Sequence, residues 1–138
     1  MAKTLEQYTQ CHSKVVTIGI IANLIFIVPL ILFPACFLQF LGVHLDGLIW
    51  ARVSGFLLLL VSILYIPAVI NLDRYRVNAW LAIFPSRTFG TVFFAVQVFI
   101  FDQPGSFLIG SLVDITFASL SLYYLVRITV LELNGART

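Results

Sequence analysis

The stretch VSGFLLLLVSILYIPAVINL, residues 53–72, contains no charged side chain. It is long enough to cross a membrane, because a helix needs about 20 mostly apolar residues to span a hydrocarbon core about 30 Å thick. Three other stretches are also long and mostly apolar: residues 15–34 contain no charged residue, the third stretch contains only Arg87, and the fourth contains Asp114 in its apolar run. The four predicted spans are residues 15–34, 50–72, 79–101 and 107–129. Since lipid offers backbone amides no hydrogen-bond partner, each span must form a helix. The sequence therefore predicts an all-α integral membrane protein.

The composition of the whole chain agrees with this prediction. The 138 residues are 61% hydrophobic and only 10% charged, whereas a soluble domain carries about 25% charged residues. This excludes a soluble globular domain and a disordered chain. The formal net charge of +2 is too small for a nucleic-acid partner, which needs many phosphate contacts. We interpret residues 1–138 as a single transmembrane domain.

The predicted loops are short, so consecutive helices should be antiparallel neighbours in an up-down-up-down four-helix bundle. The connection after the first helix is longer, and its residues 35–41 are apolar enough to form a short interfacial helix. The first span resembles a secretory signal only superficially. Its polar leader (residues 1–14), its long apolar run and the lack of an A-x-A site predict that it is retained.

The distribution of basic residues predicts the orientation in the membrane. Six of them flank the spans on one side: Lys3, Lys14, Arg74, Arg76, Arg127 and Arg137. The loops on the other side contain only Asp46 and Asp102 as charged residues. By the positive-inside rule both termini are then cytoplasmic, with Trp50 and Trp80 as interfacial anchors. We expect a multi-pass protein of the bacterial inner membrane.

Polar residues within the spans are the candidates for a site, because an intramembrane charge is costly unless it is paired. At 1.5 Å per residue, Arg87 and Asn23 lie roughly 12 Å from the inner ends of their helices, and Asp114 lies about 10 Å below the outer end of its helix. Helical phase places these side chains on faces that also carry small residues. We predict an outer layer of Asp114, Arg52 and Gln97, and an inner layer of Arg87, Asn23 and Tyr65, with Tyr123 as a further member.

Three interpretations of this polar set stay open. An Asp114–Arg52 pair could serve only to fix helix register. The set could instead form a site for a ligand, a quinone or a proton. In the third interpretation Arg52 and Arg87 extend toward lipid headgroups.

The predicted spans also contain small residues that favour close packing and prolines that interrupt helices. Two small-xxx-small pairs, Ser86–Gly90 and Ser106–Gly110, favour close approach of helix backbones. Pro29, Pro67 and Pro85 should kink or delimit their helices.

The sequence contains no recognisable catalytic constellation. Cys11 and Cys36 are predicted on opposite sides of the membrane, which precludes an intramolecular disulfide, and no C-x-x-C occurs. His12 and His44 are separated in the same way, which excludes bis-His haem ligation. No cluster has metal-ligand spacing. We predict a protein without enzymatic activity, metal or cofactor, with contact to a quinone or a lipid left open.

Several short segments together resemble a known family. They are LEQY (5–8), FP (33–34), LG (41–42), WARVSG (50–55), YIPA (65–68) and DRYRVNAW (73–80), followed by Arg87. The chain thereby resembles the DoxX-like superfamily of small four-helix bacterial membrane proteins, and is most similar to the BphX-like group named from biphenyl-degradation operons. That group has no established activity. The resemblance implies a membrane subunit, because DoxX-like relatives are linked with membrane oxidoreductase complexes, one of them quinone-reducing.

These observations lead to two functional hypotheses of different classes. The first is a non-catalytic accessory or anchoring subunit of a larger, redox-active membrane assembly, with the lipid bilayer and either a membrane protein partner or a second copy as its contacts. The alternative is binding or transport of a small apolar molecule, such as an aromatic hydrocarbon, a quinone or a lipid. A membrane enzyme using Asp114 or a tyrosine as an acid ranks last.

Overall fold

The computed structural model describes residues 2–44 and 47–135, and all regular structure in these ranges is helical. The elements are α1 (Ala2–Leu32), α2 (Pro34–Phe40), α3 (Leu48–Ile70), α4 (Arg76–Leu81), a π-helical segment (Ala82–Arg87), α5 (Thr88–Phe99) and α6 (Phe107–Gly135). The all-α prediction is confirmed. Asp46, Arg137 and the side chain of Lys3 lie outside the described part of the chain.

Four helical stretches are long and apolar enough to cross a membrane: Thr4–Leu32, Leu48–Ile70, Arg76–Phe99 and Phe107–Gly135. The first and fourth helices are longer than the predicted spans, since α1 already begins at Ala2 and α6 continues to Gly135. Hydropathy marks where lipid begins, whereas a helix continues into the polar interface as long as its amides stay paired. We call the end where α1 begins and α6 ends the terminal end, and the other the opposite end.

The predicted interfacial helix is present as α2, one residue earlier than expected. Pro34 occupies its first turn, where the missing amide hydrogen of proline is no disadvantage. The Ser106 hydroxyl donates to the Leu41 carbonyl over 2.6 Å, which ties the end of α2 to the start of α6.

Helices α1 and α3 form one antiparallel pair that is packed along its whole length. At the opposite end, a Cβ on Gly55 would lie 2.9 Å from side-chain atoms of Leu30 and Ile31, so only glycine allows this approach. At the terminal end the Ser13 hydroxyl donates to the Val69 carbonyl over 3.2 Å. Contacts at both ends hold the two helices in register.

Helices α5 and α6 form the second pair, again through small residues. A Cβ on Gly110 would lie 3.0 Å from the Phe94 ring, and the Ser111 hydroxyl donates to the Thr91 carbonyl over 3.2 Å. Gly90 lies similarly close to Asp114. Gly90 and Gly110 thus make room for side chains of the neighbouring helix rather than for its backbone.

The third span is broken in its interior. Phe84 has an extended backbone (φ −122°, ψ 122°) and is followed by Pro85 through a cis peptide bond. Pro85 has no amide hydrogen to donate to the preceding turn. The span therefore consists of α4, the π-helical segment and α5, and Pro85 delimits helices as predicted, whereas Pro29 and Pro67 lie inside α1 and α3.

The two pairs join asymmetrically. Helix α1 packs against α6, and α3 meets α4 and the π-helical segment near the terminal end. Helix α5 packs along α6 without comparable contact to α1 or α3, and none of its residues is buried. The bundle is thus closed at the terminal end and open between α3 and α5 at the opposite end.

Candidate functional site

The buried centre of the bundle holds an ion pair between the third and fourth spans. The Arg87 Nη1 atom donates to Asp114 Oδ1 over 3.0 Å. The Arg87 side chain is only 6% exposed, and that of Asp114 is 21% exposed. Such a pair satisfies both charges in a medium that would otherwise disfavour each of them.

Three residues from other helices enclose the Arg87 guanidinium. A Cβ on Gly19 of α1 would lie 2.7 Å from Arg87 Nη2, so the lack of a side chain there makes room for the cation. The guanidinium carbon lies 5.1 Å from the centre of the Phe117 ring and 5.7 Å from that of Tyr65. Both distances are within the range of cation–π attraction.

Gly90 makes room for the Asp114 carboxylate, as Gly19 does for the Arg87 guanidinium. A Cβ at this position would lie 2.5 Å from Asp114 Oδ2. Because Gly90 lies on α5 one turn beyond Arg87, the carboxylate can lie against the backbone of the helix that carries its partner. The ion pair therefore depends on two glycines, Gly19 and Gly90.

The helix break adds polar groups to this site. Ser86, in the π-helical segment, is hydrogen-bonded through its hydroxyl to the Tyr65 hydroxyl of α3. Backbone carbonyls around the break receive side-chain donors, with Thr88 Oγ1 donating to Ile83 and Thr91 Oγ1 to Arg87, each over 2.9 Å. Hydroxyl groups of this kind let a broken helix persist within a membrane.

The structure brings Arg87 and Tyr65 together as predicted, but it places Asn23 in a separate contact. Asn23 is 6% exposed and lies one turn beyond Gly19 on α1. Its Nδ2 atom donates to Ser62 Oγ over 2.9 Å, and that hydroxyl donates in turn to the Leu58 carbonyl over 2.8 Å. Asn23 thus links α1 to α3 without touching the ion pair.

The predicted pairing of Asp114 with Arg52 is wrong. Arg52 is exposed in the first turns of α3, and no carboxylate of the described residues pairs with it. The physical reason is the arrangement of the helices, since α3 packs on α1 and does not reach α6 at this end. Asp114 takes its cation from the neighbouring span instead.

Two further members of the predicted layers lie elsewhere. Gln97 is half-buried on α5, and its carbonyl accepts the Gln103 amide over 3.0 Å, but no side-chain hydrogen bond joins it to Asp114. Tyr123 is 50% exposed on α6, beside Arg127. The assignment of Tyr123 depended on depth, and that of Gln97 on depth and helical phase. Neither property determines which neighbouring helix a side chain meets.

His12 is a buried polar residue that was not assigned to the polar layers. Its side chain is fully buried, and neither ring nitrogen has a hydrogen-bond partner among the described residues. The signal for its burial is present in the sequence, because His12, Val16, Gly19 and Asn23 recur at helical spacing on one face of α1. All four are in fact buried.

The chemistry available at the ion pair is charge neutralisation and hydrogen bonding. Arg87 and Asp114 neutralise each other, and the partial exposure of Asp114 leaves a carboxylate edge accessible to a hydrogen-bond donor. Within the described ranges, no group of three or more His, Cys, Asp or Glu side chains could hold a metal ion.

Comparisons of the chain with protein-family models, with curated proteins and with solved structures find no match.

Proposed function

We propose that this chain is a non-catalytic accessory or anchoring subunit of a larger assembly in the bacterial inner membrane. Four helices suited to crossing a membrane support the multi-pass architecture. Of the six basic residues with described side chains, Lys14, Arg74, Arg76 and Arg127 lie toward the terminal end, Arg87 lies in the interior and Arg52 lies at the opposite end. This excess at the terminal end favours cytoplasmic termini.

The observation that carries this proposal is the incomplete packing of α5, which contacts α6 but has no comparable contact with α1 or α3. Half of a membrane span contains no buried residue, and it packs along a single neighbour. Phe89 and Phe93 are 68% and 57% exposed. Helix association in lipid depends on close packing, and an incompletely packed helix beside an open side of the bundle offers room for a helix from another protein.

The redox character of the assembly follows from the resemblance to DoxX-like proteins. In those relatives the four-helix chain acts beside oxidoreductase subunits, so the partner we expect carries the redox chemistry. The ion pair of Arg87 and Asp114 then has an internal role, because it holds α5 against α6 and so presents the face that the partner contacts.

Site-specific photo-crosslinking in native membranes tests this proposal. A photoreactive amino acid at Phe93 should yield one adduct with a different membrane protein, which should also co-purify in fixed stoichiometry in a gentle detergent. The matched control is Ile25 of α1, whose exposure of 66% is similar. Adducts between Phe93 and a second copy of the chain would contradict the proposal and indicate a homo-oligomer. Adducts with lipid alone at both Phe93 and Ile25 would also contradict it.

A second candidate function is binding of a small apolar molecule with a polar group, such as a quinone. The specific observation in its favour is the set of polar groups at the helix break: the Tyr65–Ser86 hydrogen bond and the partly exposed Asp114. A mostly apolar pocket with a few polar groups is typical of a small-molecule site.

Thermal denaturation in detergent with added ubiquinone or menaquinone distinguishes this candidate. A ligand bound at the break should raise the midpoint for the wild type, and Ser86→Ala should remove the increase. Ser54→Ala, on the exposed face of α3, is the control. An equal increase for all three proteins would indicate nonspecific partitioning and would refute the second candidate.

A further inference from the structure

An open groove of about 460 Å³ lies on α6 near the terminal end. It is lined by Ser119, Leu122, Tyr123, Val126, Arg127 and Val130. These residues recur at helical spacing and form one continuous face. Its surface is apolar except for Ser119, Tyr123 and Arg127, so it combines a hydrocarbon-compatible strip with one cation.

The charge of Arg127 is uncompensated within the described residues. Arg76 and Arg87 each form a salt bridge, but Arg127 forms none. The carboxylate of Glu132, on the same helix, is engaged by Arg76. The Arg127 guanidinium lies over the Tyr123 ring instead, with its carbon 5.7 Å from the ring centre. A cation beside an apolar groove favours an anionic ligand that has an apolar part.

The level of Arg127 along the bundle matches the position of lipid headgroups. At 1.5 Å per residue it lies about 30 Å from Phe107, which is about the thickness of the hydrocarbon core. A cluster of tyrosines lies at the same level, with ring centres 6.2 Å apart for Tyr8 and Tyr124 and 5.3 Å apart for Tyr123 and Tyr124. Tyrosine is enriched at the membrane interface.

We propose that this groove binds one anionic phospholipid. Its phosphate lies on the Arg127 guanidinium, whose planar set of donors suits two phosphate oxygens. One acyl chain follows Leu122 and Val126 toward the membrane centre. This site depends on the residence of the chain in a membrane and is independent of any protein partner at α5.

Native mass spectrometry of the purified full chain in a mild detergent tests the site. The probes are phosphatidylglycerol and phosphatidylcholine with identical acyl chains. We expect the wild type to retain phosphatidylglycerol about fivefold better, the ratio typical of one basic residue near an anionic lipid surface. Arg127→Gln should abolish this preference, and Arg127→Lys should keep part of it.

Arg74→Gln is the matched control, because Arg74 is an exposed arginine of the α3–α4 turn at the same end of the bundle. It removes the same charge and should leave the preference intact. Val126→Trp should reduce the retention of both lipids by filling the groove. Circular dichroism of each variant checks that it is folded.

Several outcomes would overturn the proposal. They are equal retention of the two lipids by the wild type, an unchanged preference in Arg127→Gln, and equal losses in Arg127→Gln and Arg74→Gln. Displacement of phosphatidylglycerol by an equal concentration of inorganic phosphate would indicate a simple anion site instead. A bound second copy in place of lipid would identify the groove as a protein interface.

Discussion

Within residues 2–44 and 47–135, two arginine–carboxylate pairs join the third and fourth spans, and their surroundings differ. At the terminal end, Arg76 donates twice to Glu132, over 2.7 and 2.5 Å, and each side chain is 31% exposed. In the interior, Arg87 makes a single contact of 3.0 Å with Asp114, at exposures of 6% and 21%. The pair with the better geometry is the one that water and headgroups can screen.

The pair with the shorter hydrogen bonds is therefore not the pair that contributes more to the stability of the protein. An exposed pair contributes about 0–1 kcal/mol, since each charge is also stable without its partner. Removing one member of a buried pair costs about 3–5 kcal/mol, because the other charge stays buried alone. We therefore expect the single interior contact to control the stability of the bundle.

The largest expected effect comes from breaking the interior pair. Arg87→Gln and Asp114→Asn should each lower the free energy of unfolding by about 3–5 kcal/mol. The double variant should lose less than the sum of the two, because no uncompensated charge remains. Denaturation in mixed micelles, followed by circular dichroism, measures all three. Strictly additive losses would show that the two side chains do not depend on each other.

Arg52→Gln is the control for this experiment. Arg52 is exposed and unpaired within the described residues, so its loss should change the free energy of unfolding by less than about 0.5 kcal/mol. A loss as large as that of Arg87→Gln would contradict the exposed, unpaired position of Arg52.

The next effect tests how closely the interior pair is enclosed. Gly90→Ala should destabilise the protein by about 1–3 kcal/mol, because the added methyl group would meet Asp114 Oδ2 at 2.5 Å. Gly105→Ala is the control, since no atom lies within 4 Å of a Cβ there. The same thermal or chemical denaturation serves for both. Equal effects would mean that Asp114 is free to move away.

A smaller effect is expected at the helix break beside the interior pair. Tyr65→Phe removes the hydroxyl that bonds Ser86 and should lower the free energy of unfolding by about 0.5–1.5 kcal/mol. Tyr75→Phe, in the α3–α4 turn, should have no comparable effect, because the hydroxyl of Tyr75 has no hydrogen bond among those described. A neutral Tyr65→Phe would show that the break is stable without this link.

The smallest effect belongs to the terminal pair. Glu132→Gln should lower the free energy of unfolding by less than about 1 kcal/mol. The difference should vanish in 1 M salt, where the screening length falls to about 3 Å. The effect of Arg87→Gln should persist under the same conditions. Equal salt dependence of the two variants would mean that the interior pair is as accessible to ions as the terminal one.

Much of the fold could be predicted from the sequence, because each part of that prediction depended on one helix at a time. Length and hydropathy were sufficient to predict the four spans, and the apolar character of residues 35–41 was sufficient to predict α2. Helical phase correctly placed Gly90 and Arg87 on a common face, and both lie beside Asp114. These properties need no knowledge of which helices are neighbours.

The pairing in the site could not be predicted, because it depends on how helices meet. Counting depth along straight helices put Arg87 and Asp114 in different layers. An arginine side chain is long and flexible enough to reach across such a difference, and the break at Phe84 and Pro85 changes the path of the third span. The prediction also assumed that Arg52 faces Asp114, although α3 is packed on α1 instead.

The division into two helix pairs has a consequence for biogenesis. The first two spans are strongly apolar, whereas the third and fourth are the least apolar of the four and contain the two halves of the interior ion pair. A lone arginine or aspartate at the centre of a helix costs about 2.5–3.5 kcal/mol during insertion by the translocon. The first hairpin can thus enter the bilayer as soon as it is synthesised. The third helix should wait beside the translocon until the fourth emerges, so that their charges enter the lipid already paired.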